Sequence, residues 1–239
     1  MRYLIGLVEY FPDPERFQAC IDSLPKADVY VVNNSLNNIG VAAALRQIMD
    51  YAVKQRYDWV LTIDQDSVAK PDLINEYEKY IGDPSIGALT CIVKDRNFEE
   101  KQPVGEIKEC ITSGCFMNVN AYSKTPGYDS SLFIDSVDFD ICASLREAGY
   151  IIVRIPFEGL LHEVGRGRKT PLGFVFNHPA WRKYYIARNR VIVAKKHGNS
   201  ILKAKLKNAR DVFLTAVYEK EKIKKIKAIL GIKPEEINK

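Results

Sequence analysis

Two aspartates one residue apart, Asp64 and Asp66, follow the apolar run Trp59-Val60-Leu61-Thr62-Ile63, which reads as a buried strand. Carboxylates so spaced on a turning chain can face one hard divalent cation, whose preferred ligands are oxygens. Such an ion would neutralise a departing diphosphate. The same residues also suit a polar turn in which Asp66 or Ser67 caps the next helix. A second candidate is the loop holding Asn33-Asn34-Ser35 and Asn38-Ile39-Gly40. Amide side chains there can pair with the edge of a base, and Gly40 lets the backbone turn. They also serve as ordinary turn residues, with Asn38 near a helix cap. The third candidate is acidic: Asp135, Asp138 and Asp140 fall within six residues at a helix start. One carboxylate there could take the proton of an attacking hydroxyl. Asp138 and Asp140 could equally complement the helix dipole.

The elements that must position these residues alternate. Tyr3 to Val8 and Asp28 to Val32 read as strands, with a helix from Pro14 between them. A helix follows over Val41 to Ala52, then the strand before Asp64, a helix from Pro71 and a strand from Ile86 to Val93. Repeated strand–helix alternation predicts an α/β fold, a mostly parallel sheet flanked by helices. Ligands in such sheets sit beyond the carboxyl ends of the strands, where both the asparagine loop and the aspartate pair fall. Further on, the segment from Lys94 to Tyr128 is irregular, and Ile107 to Asn120 is strand-like around Ser113-Gly114. Asp138 to Ala148 reads as a helix closed by Gly149, with a strand from Tyr150 to Ile155. Beyond Asn199, Leu202, Leu206, Ala209, Phe213 and Val217 recur at helical spacing, as do Ile223, Ile226 and Leu230.

Composition limits the remaining choices. With 46% hydrophobic and 27% charged residues in 239, the chain suits one soluble α/β core plus an appendage. No apolar run approaches the roughly 20 residues of a membrane-spanning helix. The opening strand is too short for a signal-peptide core, so a cytoplasmic chain is expected. Cys20, Cys91, Cys110, Cys115 and Cys142 have no metal-ligand spacing and read as reduced, mostly buried thiols. Charge is uneven. Eleven of the 35 Lys/Arg and three of the 30 acids lie between Lys195 and Lys227, so that stretch carries +8 and the remainder −3. A basic tail with interleaved Phe213, Tyr218 and Ile226 admits a non-enzymatic reading, an anionic-membrane or nucleic-acid binding module. A nucleic-acid binder should be basic over its body as well, and this body is not, so no nucleic-acid partner is expected.

Taken in order, these motifs resemble the family 2 glycosyltransferases of the GT-A fold, and specifically their bacterial rhamnosyltransferase branch. The resemblance rests on Val31 to Ser35, Asn38 to Leu45, Thr62-Ile63-Asp64-Gln65-Asp66-Ser67 and Phe133 to Tyr150. It continues through Leu161-His162-Glu163-Val164-Gly165 and Tyr184-Tyr185-Ile186-Ala187-Arg188-Asn189. It spans residues 1 to about 195. It implies a GT-A domain over 1–198, with a nucleotide-sugar half at 1–93 and an acceptor and catalytic half at 94–198. A basic amphipathic helical extension would follow at 199–239.

The resemblance also assigns roles. Asp66 would hold a divalent metal, Mn²⁺ or Mg²⁺, on a nucleotide diphosphate, with Asp64 on the ribose or the ion, and His162 would complete the metal shell. Asn33, Asn34, Asn38, Gly40 and Arg188 would serve the donor nucleotide. Asp138 matches the catalytic base, with Gly114, Asp140, Tyr185 and Asn189 on the acceptor side or supporting it. Asn33 replaces a usual aspartate, and Arg46 and Phe11 replace usual asparagines, departures that bear on donor specificity. A guanidinium at Arg188 braced by tyrosine could hold a phosphate or sugar ring. Gly165-Arg166-Gly167-Arg168-Lys169 reads either as a basic loop closing over a diphosphate or as an exposed linker. The implied reaction is inverting transfer of a sugar, L-rhamnose from dTDP-rhamnose first. A UDP-linked galactosyl, glucosyl or N-acetylhexosaminyl group is the alternative. The implied acceptor is a glycan, lipid-linked or free, and the tail would suit an anionic membrane surface.

Overall fold

The computed structural model describes residues 1–97, 101–163, 167–171 and 173–237. The chain divides into two units, Met1–Ser131 with Val137–Val164, and Leu132–Ser136 with Gly165–Lys239.

In the first unit, β1 (Tyr3–Glu9), α1 (Pro14–Ser23), β2 (Asp28–Asn33), α2 (Val41–Lys54) and β3 (Trp59–Asp64) follow the predicted order. Asp13 starts α1 by accepting the Arg16 N–H at 3.0 Å, and Pro14 occupies the first turn, where no N–H is needed. Helix α2 buries Ala42, Ala44, Leu45, Ile48, Met49 and Ala52. Its three alanines let it lie close over β1. A Cβ added at Gly6 would stand 2.4 Å from Ile48 Cγ2, so glycine is required there.

Then come β4 (Val68–Ala69), α3 (Leu73–Glu78), β5 (Ile86–Asp95), β6 (Gly105–Ile107), β7 (Cys115–Asn118), α4 (Val119–Tyr122), α5 (Val137–Glu147) and β8 (Ile151–His162). Among the described residues the sheet has eight strands in the order β2-β1-β3-β7-β5-β8-β4, with β6 also paired to β8. Strands β1, β2, β3, β5 and β8 run one way, and β4, β6 and β7 run against them. The expected mostly parallel, helix-flanked sheet is therefore borne out. Its core joins Leu61, Ile63, Tyr77, Leu89 and Phe116, with Phe116 stacked between Trp59 at 5.0 Å and Tyr77 at 5.3 Å.

Three local readings need correction. Helix α3 begins at Leu73, two residues after Pro71, and the strand-like stretch after Ile107 narrows to Cys115–Asn118. Strand β8 does not stop at Ile155 but runs on to His162. Pro156 is tolerated inside it because the register slips there: Thr90 faces Arg154, whereas Ile92 faces Glu158. The extra residues bulge out, and a missing N–H costs the ladder nothing at a bulge.

The second unit holds β9 (Arg168–Thr170), β10 (Gly173–Val175), α6 (Ala180–Lys196), α7 (Ile201–Tyr218), α8 (Lys222–Ile229) and α9 (Pro234–Ile237). Residues 165–198 thus group with the tail helices. A buried ionic group ties them together. Lys183 of α6 donates to Glu219 Oε1 at 2.5 Å, and Lys225 of α8 donates to Glu219 Oε2 at 3.1 Å and to Asn177 Oδ1 at 2.7 Å. No described helix is long and apolar enough to cross a membrane.

Candidate active site

Asp64 ends β3 and His162 ends β8, both at the carboxyl edge of strands that share a direction. The short strand β4 turns back after Asp66 and pairs with β8, Val68 opposite Leu161. That pairing carries Asp66 and Ser67 to the histidine. His162 Nε2 lies 3.8 Å from Asp64 Oδ2, and Nδ1 lies 3.7 Å from Asp66 Oδ1. One ligand atom from each of the three falls within 4.8 Å of the others. The two carboxylates are part-exposed, at 46% and 31%, and the imidazole is 10% exposed.

The donor set of two carboxylates and one imidazole fits Mg²⁺ or Mn²⁺. Bonds of about 2.1 Å at right angles would bring neighbouring ligand atoms to roughly 3 Å, so the three side chains, now within 4.8 Å of one another, would have to close in around the ion. A line of hydroxyls orients the ring. Ser67 Oγ is 2.8 Å from His162 Nδ1 and 2.8 Å from Ser113 Oγ, which accepts the Asp64 N–H at 3.0 Å. With Nδ1–H donating to Ser67, the Nε2 lone pair turns toward Asp64, the arrangement a metal ligand requires. Ser113 is held in turn. Gly114 has φ +78° and donates its N–H to Thr62 O at 2.8 Å, while Thr62 Oγ1 donates to Thr112 O at 2.6 Å. Gly114 is therefore a backbone turn beneath the site, its carbonyl accepting the Tyr77 hydroxyl at 2.5 Å. Cys20 lies below, with Sγ 3.5 Å from Asp64 O. Burial, then Asp66 and Asp64, pushes its thiol up to about 12, which keeps it protonated and unreactive.

The asparagine loop lies at the same edge, since β2 pairs with β1 up to Glu9–Asn33. Its amides largely build the loop itself. Asn33 Oδ1 accepts the Ser35 N–H at 2.9 Å, Asn34 Oδ1 accepts that of Ile39 at 3.2 Å, and Asn38 Oδ1 accepts that of Gly40 at 3.0 Å. Asn34 is buried, while Asn33 is exposed. Gly40, at φ +83°, starts α2. Gln65 joins the loops by accepting the Tyr10 N–H at 2.7 Å and donating to Tyr10 O at 3.0 Å. Arg46 donates to Tyr128 O at 3.1 Å, and Phe11 is 71% exposed at φ +39°.

Asp138 sits in the first turn of α5, half-buried, with Oδ1 accepting the Phe139 N–H at 3.0 Å. Asp140 is fully buried. The preceding segment, Leu132–Ser136, belongs to the second unit and is strained: Phe133, Asp135 and Ser136 all have φ between 63° and 66°. Asn189 holds it. Its amide nitrogen, fully buried, donates to the carbonyls of Leu132 (2.7 Å), Ile134 (2.7 Å) and Asp135 (3.0 Å). So buried, Asn189 offers no surface to a ligand. Arg182 adds a two-pronged pairing with the Asp135 carboxylate, at 3.0 and 3.2 Å. Tyr185 stacks on Phe133 at 5.0 Å. Arg188 lies 5.9 Å over the Tyr185 ring and donates to Asn189 Oδ1 at 2.8 Å.

Residues 165 and 166 of the expected basic loop lie outside the described residues, and of Arg168 and Lys169 only the backbone, in β9, is described. Ser67, Ser113 and Arg182 are the contributors that sequence reasoning missed. Nothing local marks two serines 46 positions apart as partners.

No family model matches the chain. Residues 1–349 of S. aureus TarS superpose with a TM-score of 0.64, covering 100% of this chain and 82% of that one at 10% identity. The fold is GT-A. The same TarS segment bound to UDP-GlcNAc gives a TM-score of 0.59 at 11% identity, over 95% of this chain and 79% of that one. Against the longer TarS chain, the TM-score is 0.61 at 12% identity over 92% of this chain, which spans only 44% of that protein's length. In sequence, the chain is similar to dTDP-rhamnosyl transferase RfbF of Shigella flexneri, 22% identical over 80% of this chain and 79% of that protein. The resemblance read from the motifs is thus met by a relative of the same kind. In the GT-A fold, the Asp64–Asp66–His162 group stands at the strand edge where such sheets take their ligands.

Proposed function

We propose that the chain is an inverting glycosyltransferase that moves a sugar from a nucleoside diphosphate to an acceptor hydroxyl. The observation that carries this reading is the convergence of Asp64, Asp66 and a hydroxyl-oriented His162 at the carboxyl edge of the sheet. A divalent ion held by these three would neutralise the charge developing on the leaving diphosphate. Asn33 and the loop to Gly40 would receive the base, with the Asn33 amide still able to offer donor and acceptor to a pyrimidine edge. Asp138 would accept the proton of the attacking hydroxyl as its oxygen adds to the anomeric carbon opposite the departing nucleotide. Asp140 and Asn189 would support it, and Arg188 with Tyr185 would contact donor or acceptor.

Similarity to a dTDP-rhamnosyl transferase supports L-rhamnose as the sugar and dTDP as its carrier. Relatives of the same fold solved with UDP-GlcNAc and UDP keep a UDP-sugar as the second reading. A growing, lipid-linked glycan is the proposed acceptor, reached from the cytoplasmic face of a membrane. The deciding experiment is a panel of nucleotide sugars with Mn²⁺, Mg²⁺ or chelator, scored by calorimetry and by slow donor hydrolysis. Tight binding of dTDP-rhamnose that disappears in chelator is expected. Equal, metal-independent binding of every nucleotide would sink the proposal.

A further inference from the structure

Helix α7 has two faces of opposite kind. Toward α6 it presents Asn208, which donates to Ala187 O at 2.9 Å, and Asp211, paired with Arg190 at 2.8 Å. Ala204 and Thr215 are buried on the same side. Half a turn away, Leu202, Leu206, Phe213 and Val217 are 68%, 60%, 54% and 47% exposed. With Ala209 they recur at the spacing of one helical stripe, about 22 Å long. Lys203, Lys207 and Arg210 flank it on one side and Lys205 on the other, and Asp211, the helix's single acid, is turned inward.

We infer that this face of α7 is a docking surface for an anionic lipid bilayer, lying in the plane of the interface. The stripe has the spacing of a coiled-coil seam, but a second copy would bring basic flanks against basic flanks in either orientation. Large aliphatic and aromatic side chains have no use on a phosphate backbone, whereas the acyl boundary of a membrane buries them. Anionic headgroups then meet the four flanking cations, each strengthening binding by about fivefold, the equivalent of about 1 kcal/mol. The surface deepens the proposed function by naming how a lipid-linked acceptor would be approached. It stands on α7 alone, so its test needs no sugar donor.

The full chain is mixed with vesicles of phosphatidylcholine, or of phosphatidylcholine with phosphatidylglycerol, and floated at low salt. Recovery with the anionic vesicles only is expected, falling at least about tenfold in Leu206→Ser/Phe213→Ser and in Lys203→Gln/Lys205→Gln/Lys207→Gln/Arg210→Gln. Both variants change exposed side chains, so their melting temperatures should match the parent, which separates lost docking from lost folding. Equal recovery with both vesicle types, or wild-type flotation of the serine variant, would overturn the inference. So would a dimer in light scattering that the serine variant dissolves, because a second copy would then cover the stripe.

Discussion

The hydroxyl of Ser67 stands 2.8 Å from Nδ1 of His162, and it reaches there because β4 pairs with β8 one residue further on. Removing it frees the imidazole to rotate and to change which nitrogen carries the proton. If His162 ligates the ion, Ser67→Ala should weaken Mn²⁺ binding by about 10–100-fold, as loss of such a partner does at metal-bound histidines. Calorimetric titration of Mn²⁺ in the presence of nucleoside diphosphate measures it. An unchanged affinity would mean that His162 is not a ligand.

Asp138 can cap and complement α5 or act as a base, and one substitution parts the roles. Asparagine can still accept the Phe139 N–H, so Asp138→Asn should cost at most about 1 kcal/mol in stability. It cannot accept a proton, so transfer should fall by roughly 10²–10⁴-fold with donor affinity nearly unchanged. Melting temperature, donor binding and rate are read on one preparation. Near-normal transfer would return Asp138 to a helix-start residue.

Asn189 satisfies three carbonyls with one amide group. In Asn189→Ala these acceptors lose their donor inside a strained segment, and a loss of about 2–4 kcal/mol is expected. Thermal unfolding should shift down by several degrees, and limited proteolysis should newly cut near Leu132–Ser136. Because that segment leads directly into α5, the transfer rate should drop more than donor affinity does.

His178 stacks on Phe176 at 5.6 Å. Burial, then Arg182 and Lys183, pushes its imidazole down to about 4 from the ordinary 6.5. The unfolded chain consequently binds more protons between those values. Stability is complete above about pH 6.5 and is lost as pH falls toward 4, by about 1–2 kcal/mol after allowing for partial exposure. Melting curves at pH 7 and pH 5 should diverge in the parent and converge in His178→Asn. A parent with the same melting temperature at both would refute the assignment.

The first half of the sheet was readable because each strand is a short apolar run closed by turn residues, and each helix has a cap or a Gly or Pro signal. Asp13-Pro14 and Gly40 are cases in point. What stayed hidden depends on pairing. Nothing in Cys115–Asn118 says that it runs against β3, since the connection from β5 is long enough for either direction. Pro156 looked like a strand end because the bulge that accommodates it exists only once β5 is alongside. The aspartate pair was visible as a motif. Its link to His162 came from the family resemblance alone, because the two-residue strand that joins them carries almost no sequence signal.

Strand β7 has a bearing on how the chain is made. It stands between β3 and β5, pairing Leu61 and Leu89 alike with Phe116. A chain emerging from its amino end has completed β1, β2, β3 and β5 before this wedge exists. Until Cys115–Asn118 arrives, the apolar edges of β3 and β5 stand open, the condition under which partly made sheets stick to one another. Residues 1–97 are therefore not expected to fold as a separate module. A chain ending at residue 97 should collect in insoluble form, whereas one extended past Tyr122 should gain solubility, as fractionation after expression would record.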